Sequence, residues 1–329
     1  MSDKAKVVLT DYVWESLDVE HEILGGLADI VPIQTTDPEK FFPEAADCNA
    51  LLNTYGGPIT ADIMARMPNC VVISRYGIGV DTIDLESATE AGIIVTNNPT
   101  YCVEEVAEHT IAMLLASARK IAFYDRLVRQ DTWAVPPGKP MFRLAGSTCG
   151  LVGFGNIARR VAKAAAGLDM HVLYSDPFVE QSQFNAPGEK VELDQLLAES
   201  DYVCIHAPLL PQTRGMFGAD QFAQMKNTAV IVNCSRGPII DTNALVNALN
   251  DQTIAGCALD TTDPEPLTKD HALHGRENVI INPHTAWYSE QAMAGLQAGA
   301  PNEVKLVLQG EWPRNVVNKD VKDSNRAGI

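Results

Sequence analysis

The stretch Thr148–Ala158, TCGLVGFGNIA, decides the fold. Thr148 to Val152 is a short apolar run of the kind that forms a buried strand, and a helical pattern follows from Arg159 to Gly167. Between them lie Gly153-Phe154-Gly155 and, after two intervening residues, Ala158. This is the G-x-G-x-x-G/A turn of a dinucleotide-binding βαβ unit. Gly153 can take the tight turn, Gly155 lets the backbone approach a pyrophosphate, and Ala158 is small enough for helix and strand to pack closely. Asn156 and Ile157 open the helix, where N–H groups and the positive dipole end favour phosphate. Glycine-rich turns are common, so the second signal matters. His171–Ser175 reads as the next strand and ends at Asp176, twenty-one residues after Gly155. A carboxylate there accepts hydrogen bonds from ribose hydroxyls and repels a 2′-phosphate, which points to NAD rather than NADP.

Working outward, a chain of 329 residues accommodates two domains of ordinary size. Its composition, 46% hydrophobic and 20% charged, is that of a soluble globular protein, and no apolar run approaches a membrane span. The N-terminal residues run into a strand-like segment without a signal-peptide core, so a cytoplasmic location is expected. Seven cysteines without a C-x-x-C pair argue for reduced thiols and against disulfides or a structural metal. A net charge of −17 disfavours nucleic acid and requires any anionic substrate to meet locally placed arginines. A saline habitat is one reading of that acidity.

The first hundred residues alternate strands and helices, with strands expected at Val7–Thr10, Ala50–Tyr55, Val71–Arg75 and Ile93–Asn97. Two loops follow strand ends, at Tyr55–Pro58 and at Arg75-Tyr76-Gly77-Ile78-Gly79-Val80-Asp81. Ligands bind at such carboxyl ends in open α/β sheets, and Arg75 could meet a carboxylate there. Asn98-Pro99 then introduces a long helix, Glu104–Ser117, and an irregular stretch spans 130–145. From Thr148 six strands are expected, at 148–152, 171–176, 201–206, 228–234, 254–259 and 278–282, in the order 3-2-1-4-5-6. Ser289–Gln309 is helical in pattern.

The expected chemistry collects after the last three of these strands. Arg236 follows 228–234, Asp260 and Glu265 follow 254–259, and His284 follows 278–282. Hydride transfer to a 2-oxo acid builds charge on an oxygen that must then be protonated. Arg236 can hold carboxylate and carbonyl oxygens with its fork of donors. His284, paired to Glu265, can act as general acid and base, and Asp260 can contact the nicotinamide amide. Each has a plainer role open to it: a histidine after proline is commonly structural, and Arg-Gly pairs are common at turns. What favours the functional reading is three consecutive strand ends beside one nucleotide motif. His206 and His109 read as packing or cofactor-adjacent.

Over nearly its whole length the chain resembles the D-isomer-specific 2-hydroxyacid dehydrogenase family. The segments are GLVGFGNIA with Asp176, VAEHT (106–110), HAPLLPQT (206–213), VNCSRGPIIDTNAL (232–245), GCALDTTDPEP (256–266) and INPHTAW (281–287). The resemblance implies Arg236, Glu265 and His284 as the catalytic set. It implies NAD contacts at Thr110, Gly153, Gly155, Asn156, Ile157, Asp176, His206, Pro208, Thr213, Cys234, Ser235, Asp260 and His284. Backbone N–H groups of the Tyr76-Gly77 loop would hold the substrate carboxylate. The fold implied is α/β with two doubly wound domains: a Rossmann NAD-binding domain (99–289) inserted into a smaller flavodoxin-like substrate domain (1–98 and 290–329). Hinge closure and a homodimer built through the nucleotide domains are implied as well. Arg75, PHTAWYSEQA (283–292) and VVNKDV (316–321) look most like the branch of the C-terminal-binding-protein corepressors. In that branch Arg75 and Trp287 would line the substrate pocket. Thr261-Thr262-Asp263 and Asn282 depart from the usual pattern, and Glu265 argues against formate dehydrogenase activity.

The leading expectation is therefore an NAD-dependent enzyme interconverting an (R)-2-hydroxy acid and its 2-oxo acid. Trp287 suggests a substrate larger than pyruvate, whereas Arg75 would suit a second acidic group, including a phosphonate or sulfonate. The rival from another class is an NAD(H)-sensing dimeric interaction protein of corepressor type with weak dehydrogenase activity.

Overall fold

The computed structural model describes residues 4–180 and 185–329. The chain divides into two compact units, Met1–Cys102 with Ser289–Ile329, and Val103–Tyr288.

The first unit is built on a five-stranded parallel sheet of β1 (Ala5–Leu9), β2 (Ala28–Pro32), β3 (Ala50–Asn53), β4 (Val72–Arg75) and β5 (Ile94–Thr96), ordered β2-β1-β3-β4-β5. That 2-1-3-4-5 order is flavodoxin-like. β3, β4 and β5 are buried at every position, as expected of parallel strands covered on both faces. Phe41, Leu51, Ile63, Met64, Ile73 and Val95 form the core on one side. The helix Glu290–Leu308, capped by Ser289 accepting from the Ala292 N–H, packs on β4, where the Ser74 hydroxyl donates to the Ala300 carbonyl at 3.0 Å. Residues from the C-terminal end also complete β5, since Asn318 accepts the Val95 N–H at 2.8 Å. β2 is absent from the sequence expectation. It is an edge strand with Asp29 exposed and Pro32 at its end, so it has no clean alternation to read.

The second unit carries a seven-stranded parallel sheet. Its strands are β6 (Thr148–Val152), β7 (His171–Ser175), β8 (Glu189–Lys190), β9 (Tyr202–Ile205), β10 (Val230–Asn233), β11 (Gly256–Leu259) and β12 (Val279–Ile281). Their order is β12-β11-β10-β9-β6-β7-β8. This corrects the expected strand count and order. β8 takes the third position, so β9 moves from the expected edge to the centre, where Cys149 to Val152 of β6 register with Tyr202 to Ile205. The polar pair Glu-Lys of β8 gives no hydrophobic signal. The strand order now reverses between β6 and β9, while β10, β11 and β12 remain consecutive neighbours.

The helix Val103–Ala118 lies against β10 and β11, and the helix Asn156–Gly167 follows β6. Segment 130–145 contains only a short 3-10 turn at Pro136–Gly138, and Trp133 within it is 90% exposed. All seven cysteines are buried and free. Among the described residues no helix is long and apolar enough to cross a membrane.

Candidate active site

β6 delivers the chain into Gly153, whose φ of 88° is one that side-chain-bearing residues avoid. A Cβ there would press on the backbone of His206 and Ala207 at the end of β9, so the glycine allows two strand ends to meet at the reversal point. Gly155 differs: a Cβ there would meet nothing within 4 Å. No side chain caps the helix that starts at Asn156. An open approach to uncapped N–H groups fits a pyrophosphate. Asp176, at the end of β7, accepts from the N–H groups of Phe154 and Phe178, each at 2.8 Å, and so has a fixed position beside the glycine turn. These residues fit a dinucleotide with a free 2′-hydroxyl.

The end of β9 brings in His206. Its Nε2 is buried without a hydrogen-bond partner, and burial pushes its pKa down to about 4, so the ring is neutral at physiological pH. Thr213 shapes the loop beyond it, donating to the Pro208 carbonyl at 2.6 Å and accepting from the Leu210 N–H at 2.8 Å.

After β10, buried Asn233 organises the loop that carries Arg236. Its amide group donates to the Arg236 carbonyl at 2.9 Å and accepts from the Ser235 N–H at 3.0 Å. Ser235 donates its hydroxyl to the Ala207 carbonyl, joining this loop to the one after β9. Cys234 turns inward against Met113, at 3.6 Å, and burial pushes its thiol up to about 12, so it packs as a neutral group. Thr110, buried in the helix Val103–Ala118, donates to its own Val106 carbonyl at 2.7 Å. Sequence reasoning missed Asn233. The available signal was an amide residue at a strand end, three positions before an arginine.

β11 leads directly into Asp260, which is 1% exposed. Its carboxylate accepts from the N–H groups of Thr285 and Ala286, each at 2.9 Å, and its carbonyl accepts from the His284 N–H at 2.8 Å. The sequence reading assigns Asp260 to the nicotinamide amide. In the structure its carboxylate clamps the turn that carries His284. That turn needs a clamp, because His284 has a φ of 54°, uncommon for a residue with a side chain. His109 Nε2 lies 3.6 Å from the same carboxylate.

Glu265 and His284 meet directly, Oε1 to Nδ1, at 2.6 Å. This leaves Nε2 of His284 as the nitrogen available to a substrate. Burial works to raise the Glu265 pKa, but the hydrogen bond and charge of His284, the Thr262 N–H and nearby Arg236 outweigh it. Glu265 is therefore held below the usual carboxylate range. The structure thus brings Arg236, Glu265 and His284 into one electrostatic neighbourhood on three consecutive strand ends. Half-buried Trp287 follows, edge-on to Tyr288 with ring centroids 5.6 Å apart.

In the first unit, Arg75 ends β4, 7% exposed, with its guanidinium carbon 5.7 Å from the Tyr55 ring centre. Gly77 (φ 140°) lies under it, and a Cβ there would come within 2.6 Å of Arg75 Nη1. Tyr76 does not fit its expected part. Its N–H donates to the Asn53 carbonyl at 2.8 Å. Its ring packs on Trp14, and its hydroxyl donates to Glu20 at 3.1 Å. Tyr76 is core because the backbone keeps strand direction past β4 and turns that ring inward. Buried Asp11, also missed from sequence, holds the neighbouring loop by accepting from the N–H groups of Tyr55 and Gly56 at 2.8 and 3.0 Å.

The family described as "D-isomer specific 2-hydroxyacid dehydrogenase, NAD binding domain" matches residues 111–286. A glyoxylate reductase from Korarchaeum cryptofilum (strain OPF8) is 38% identical over 280 residues, covering 84% of each chain. A hydroxypyruvate reductase from Blautia hydrogenotrophica is 32% identical over 321 residues, covering 95% of this chain and 99% of its own. Among solved structures, a D-lactate dehydrogenase from Aquifex aeolicus complexed with NAD and lactic acid superposes with a TM-score of 0.85 at 26% identity, covering 98% of this chain and 99% of that one. Fold, nucleotide turn and relatives agree: this chain belongs to the D-isomer-specific 2-hydroxyacid dehydrogenase family and is an NAD-dependent oxidoreductase.

Proposed function

We propose that the enzyme interconverts a small (R)-2-hydroxy acid and its 2-oxo acid, with His284 as general acid and base, Glu265 as its partner and Arg236 as the clamp on substrate oxygens. The observation that carries this reading is the 2.6 Å contact between Glu265 and His284, with Arg236 close enough to depress the same carboxylate. When bound, the reduced nicotinamide supplies the hydride that a carbonyl carbon receives. Arg236 holds the carboxylate and the carbonyl oxygen and so stabilises the charge that grows there. His284 Nε2 donates the proton to that oxygen and takes it back in the reverse direction, while Glu265 keeps the ring oriented through Nδ1. Asp260 holds the backbone of the His284 turn, and Asp176 reads the ribose. Arg75 and the Gly77 backbone belong to the substrate contacts, with Trp287 as a pocket wall. The likeness of Arg75 and Trp287 to the corepressor branch is part of this proposal.

Glyoxylate and hydroxypyruvate head the substrate candidates, because the glyoxylate and hydroxypyruvate reductases are relatives over most of the chain. A homodimer through the nucleotide-binding unit is supported by the exposed apolar residues Trp133 (90%), Val135 (62%) and Phe142 (55%). The test is NADH oxidation at 340 nm against a panel of glyoxylate, hydroxypyruvate, phenylpyruvate, 4-methylthio-2-oxobutyrate, oxaloacetate and a sulfonate analogue. Turnover on at least one member is expected. His284→Ala should lower kcat roughly 10²- to 10⁴-fold while NADH binding is retained. Tight NADH binding with silence across the panel would instead favour the sensing reading.

A further inference from the structure

In the five-stranded sheet the strand order reverses between β1 and β3, and the crevice beyond two such strand ends is where an open α/β sheet ordinarily takes a ligand. Here one of the chain's own side chains takes that place. Asp11, two residues past β1 and 6% exposed, accepts from three consecutive N–H groups after β3. They are those of Thr54 at 3.3 Å, Tyr55 at 2.8 Å and Gly56 at 3.0 Å. A run of N–H groups turned toward one point is a geometry that binds free anions. The Thr10 hydroxyl adds a fourth donor at 2.6 Å. Gly56 is needed for the close approach, because a Cβ there would come within 2.9 Å of Thr10 Oγ1 and 3.2 Å of Asp11 Oδ1. Asn53 donates to Thr10 Oγ1 at 3.2 Å and to the Gly56 carbonyl at 2.7 Å, while its own Oδ1 stays buried without a hydrogen-bond partner. An unsatisfied buried acceptor costs stability, which favours a turn kept for what it places. What it places is next to Arg75. Asn53 stands opposite Arg75 in the register of β3 and β4, and the Tyr55 ring centre lies 5.7 Å from the Arg75 guanidinium carbon.

We propose that Asp11 is a positioning residue for substrate: its carboxylate fills the anion nest between β1 and β3, fixes the Tyr55 turn beside Arg75, and so directs the substrate carboxylate to the Arg75–Gly77 strand end. The proposal rests on the assignment of Arg75 and the Gly77 backbone to the substrate, and it adds the residue that prepares that strand end. Asp11 acts through the turn and touches neither substrate nor cofactor. An empty nest would free the turn and compete for the substrate carboxylate. Loss of the Asp11 carboxyl group should therefore weaken substrate binding, and a small free carboxylate that refills the nest should restore it.

The experiment is steady-state kinetics of the full-length protein with NADH and the best 2-oxo acid of the panel, for Asp11→Ala and Asp11→Asn, with and without sodium formate. Asp11→Ala should raise the KM for the 2-oxo acid about 10- to 100-fold, as for a binding loop displaced by about an ångström. Its NADH Kd should stay within about twofold, because the nucleotide turn belongs to the unit Val103–Tyr288. Formate replaces the group that the substitution removes, so it should lower that KM at least about threefold and raise the melting temperature of Asp11→Ala. Sodium chloride at equal ionic strength should do neither, and nor should trimethylacetate, which is too large for the vacated space. In the unmodified protein formate should only compete with the 2-oxo acid. Asp11→Asn keeps the nest filled but turns an amide N–H toward a backbone donor, so its KM should rise without recovery by formate. A KM for Asp11→Ala within twofold of the unmodified value would overturn the proposal. So would a raised KM that formate leaves unchanged, equal recovery in Asp11→Asn, or an equal loss of NADH affinity. If Asp11→Ala yields no folded protein, Asp11→Asn decides: a KM raised more than twofold with NADH Kd unchanged supports the proposal, and a KM within twofold overturns it. Arg75→Gln serves as the reference. A raised KM for Arg75→Gln with Asp11→Ala unaffected removes Asp11 alone, whereas an unchanged KM for Arg75→Gln removes the substrate assignment itself.

Discussion

Asp176 uses both carboxylate oxygens on backbone N–H groups, so its charge has a fixed position at the end of β7. Asp176→Ala should therefore raise the NADPH-to-NADH ratio of kcat/KM by about tenfold or more, as expected from removing a charge that repels a 2′-phosphate. An unchanged ratio in steady-state assays would remove Asp176 from cofactor selection. His206 titrates differently from an ordinary histidine. Its native pKa of about 4 lies below the ordinary 6.5, so between these values the unfolded chain binds a proton that the native protein does not. The stability contributed by the neutral ring is full above pH 6.5 and is lost as pH falls toward 4. Thermal melts from pH 7.5 to 4.5 should show His206→Gln losing less stability than the unmodified enzyme, by on the order of 2 kcal/mol over that range. Parallel curves would show that His206 does not cause the acid sensitivity.

The loops that follow β10 and β11 act together. Gly237 comes one residue after Arg236, and a Cβ on it would overlap the carbonyl of Thr262, in the loop that leads to Glu265. Gly237→Ala must push the two loops apart and with them two members of the proposed catalytic set. A fall in kcat of about 10- to 100-fold is expected for such misplacement. Stability should fall by about 1–3 kcal/mol, read from the urea midpoint. Normal turnover would mean that the loops relax without moving Arg236 or Glu265. Elements of this length were readable in sequence where the apolar run was continuous, as in β6, β9, β10 and β11. β2 and β8 were not readable, since one is an edge strand ending in proline and the other is a two-residue polar pair.

The unit Val103–Tyr288 is one continuous segment with its own core, which includes Val152, Leu197, Val203, Phe217, Ile231 and Leu259. A contiguous domain with a complete core is expected to fold alone. The isolated segment should unfold in a single cooperative transition and bind NADH within about tenfold of the full chain's affinity. Non-cooperative melting by calorimetry would show that it depends on the rest of the chain. The first unit lacks this autonomy in sequence, because β5 is completed by Asn318 and β4 is covered by the helix Glu290–Leu308. Its core requires both chain ends.

Local physics makes much of this protein legible from its sequence. A strand, a glycine turn and a helix start are short-range events, and so is the placement of an acid at the end of the next strand. Arg236, Glu265 and His284 could be chosen because each follows an apolar strand, and strand ends in parallel sheets share an edge. Other features required the folded chain, because they depend on which distant strand ends become neighbours. The order of the seven strands turned on β8, which carries no apolar signal. The carboxylate of Asp260 could be recognised as the clamp on residues 285 and 286 only once β11 and β12 lay side by side. Tyr76 belongs to the core because the backbone keeps the strand direction one residue past β4, pairing the Tyr76 N–H with the Asn53 carbonyl. Hydrophobic pattern specifies elements, while hydrogen bonds between residues far apart in sequence specify how their ends are used.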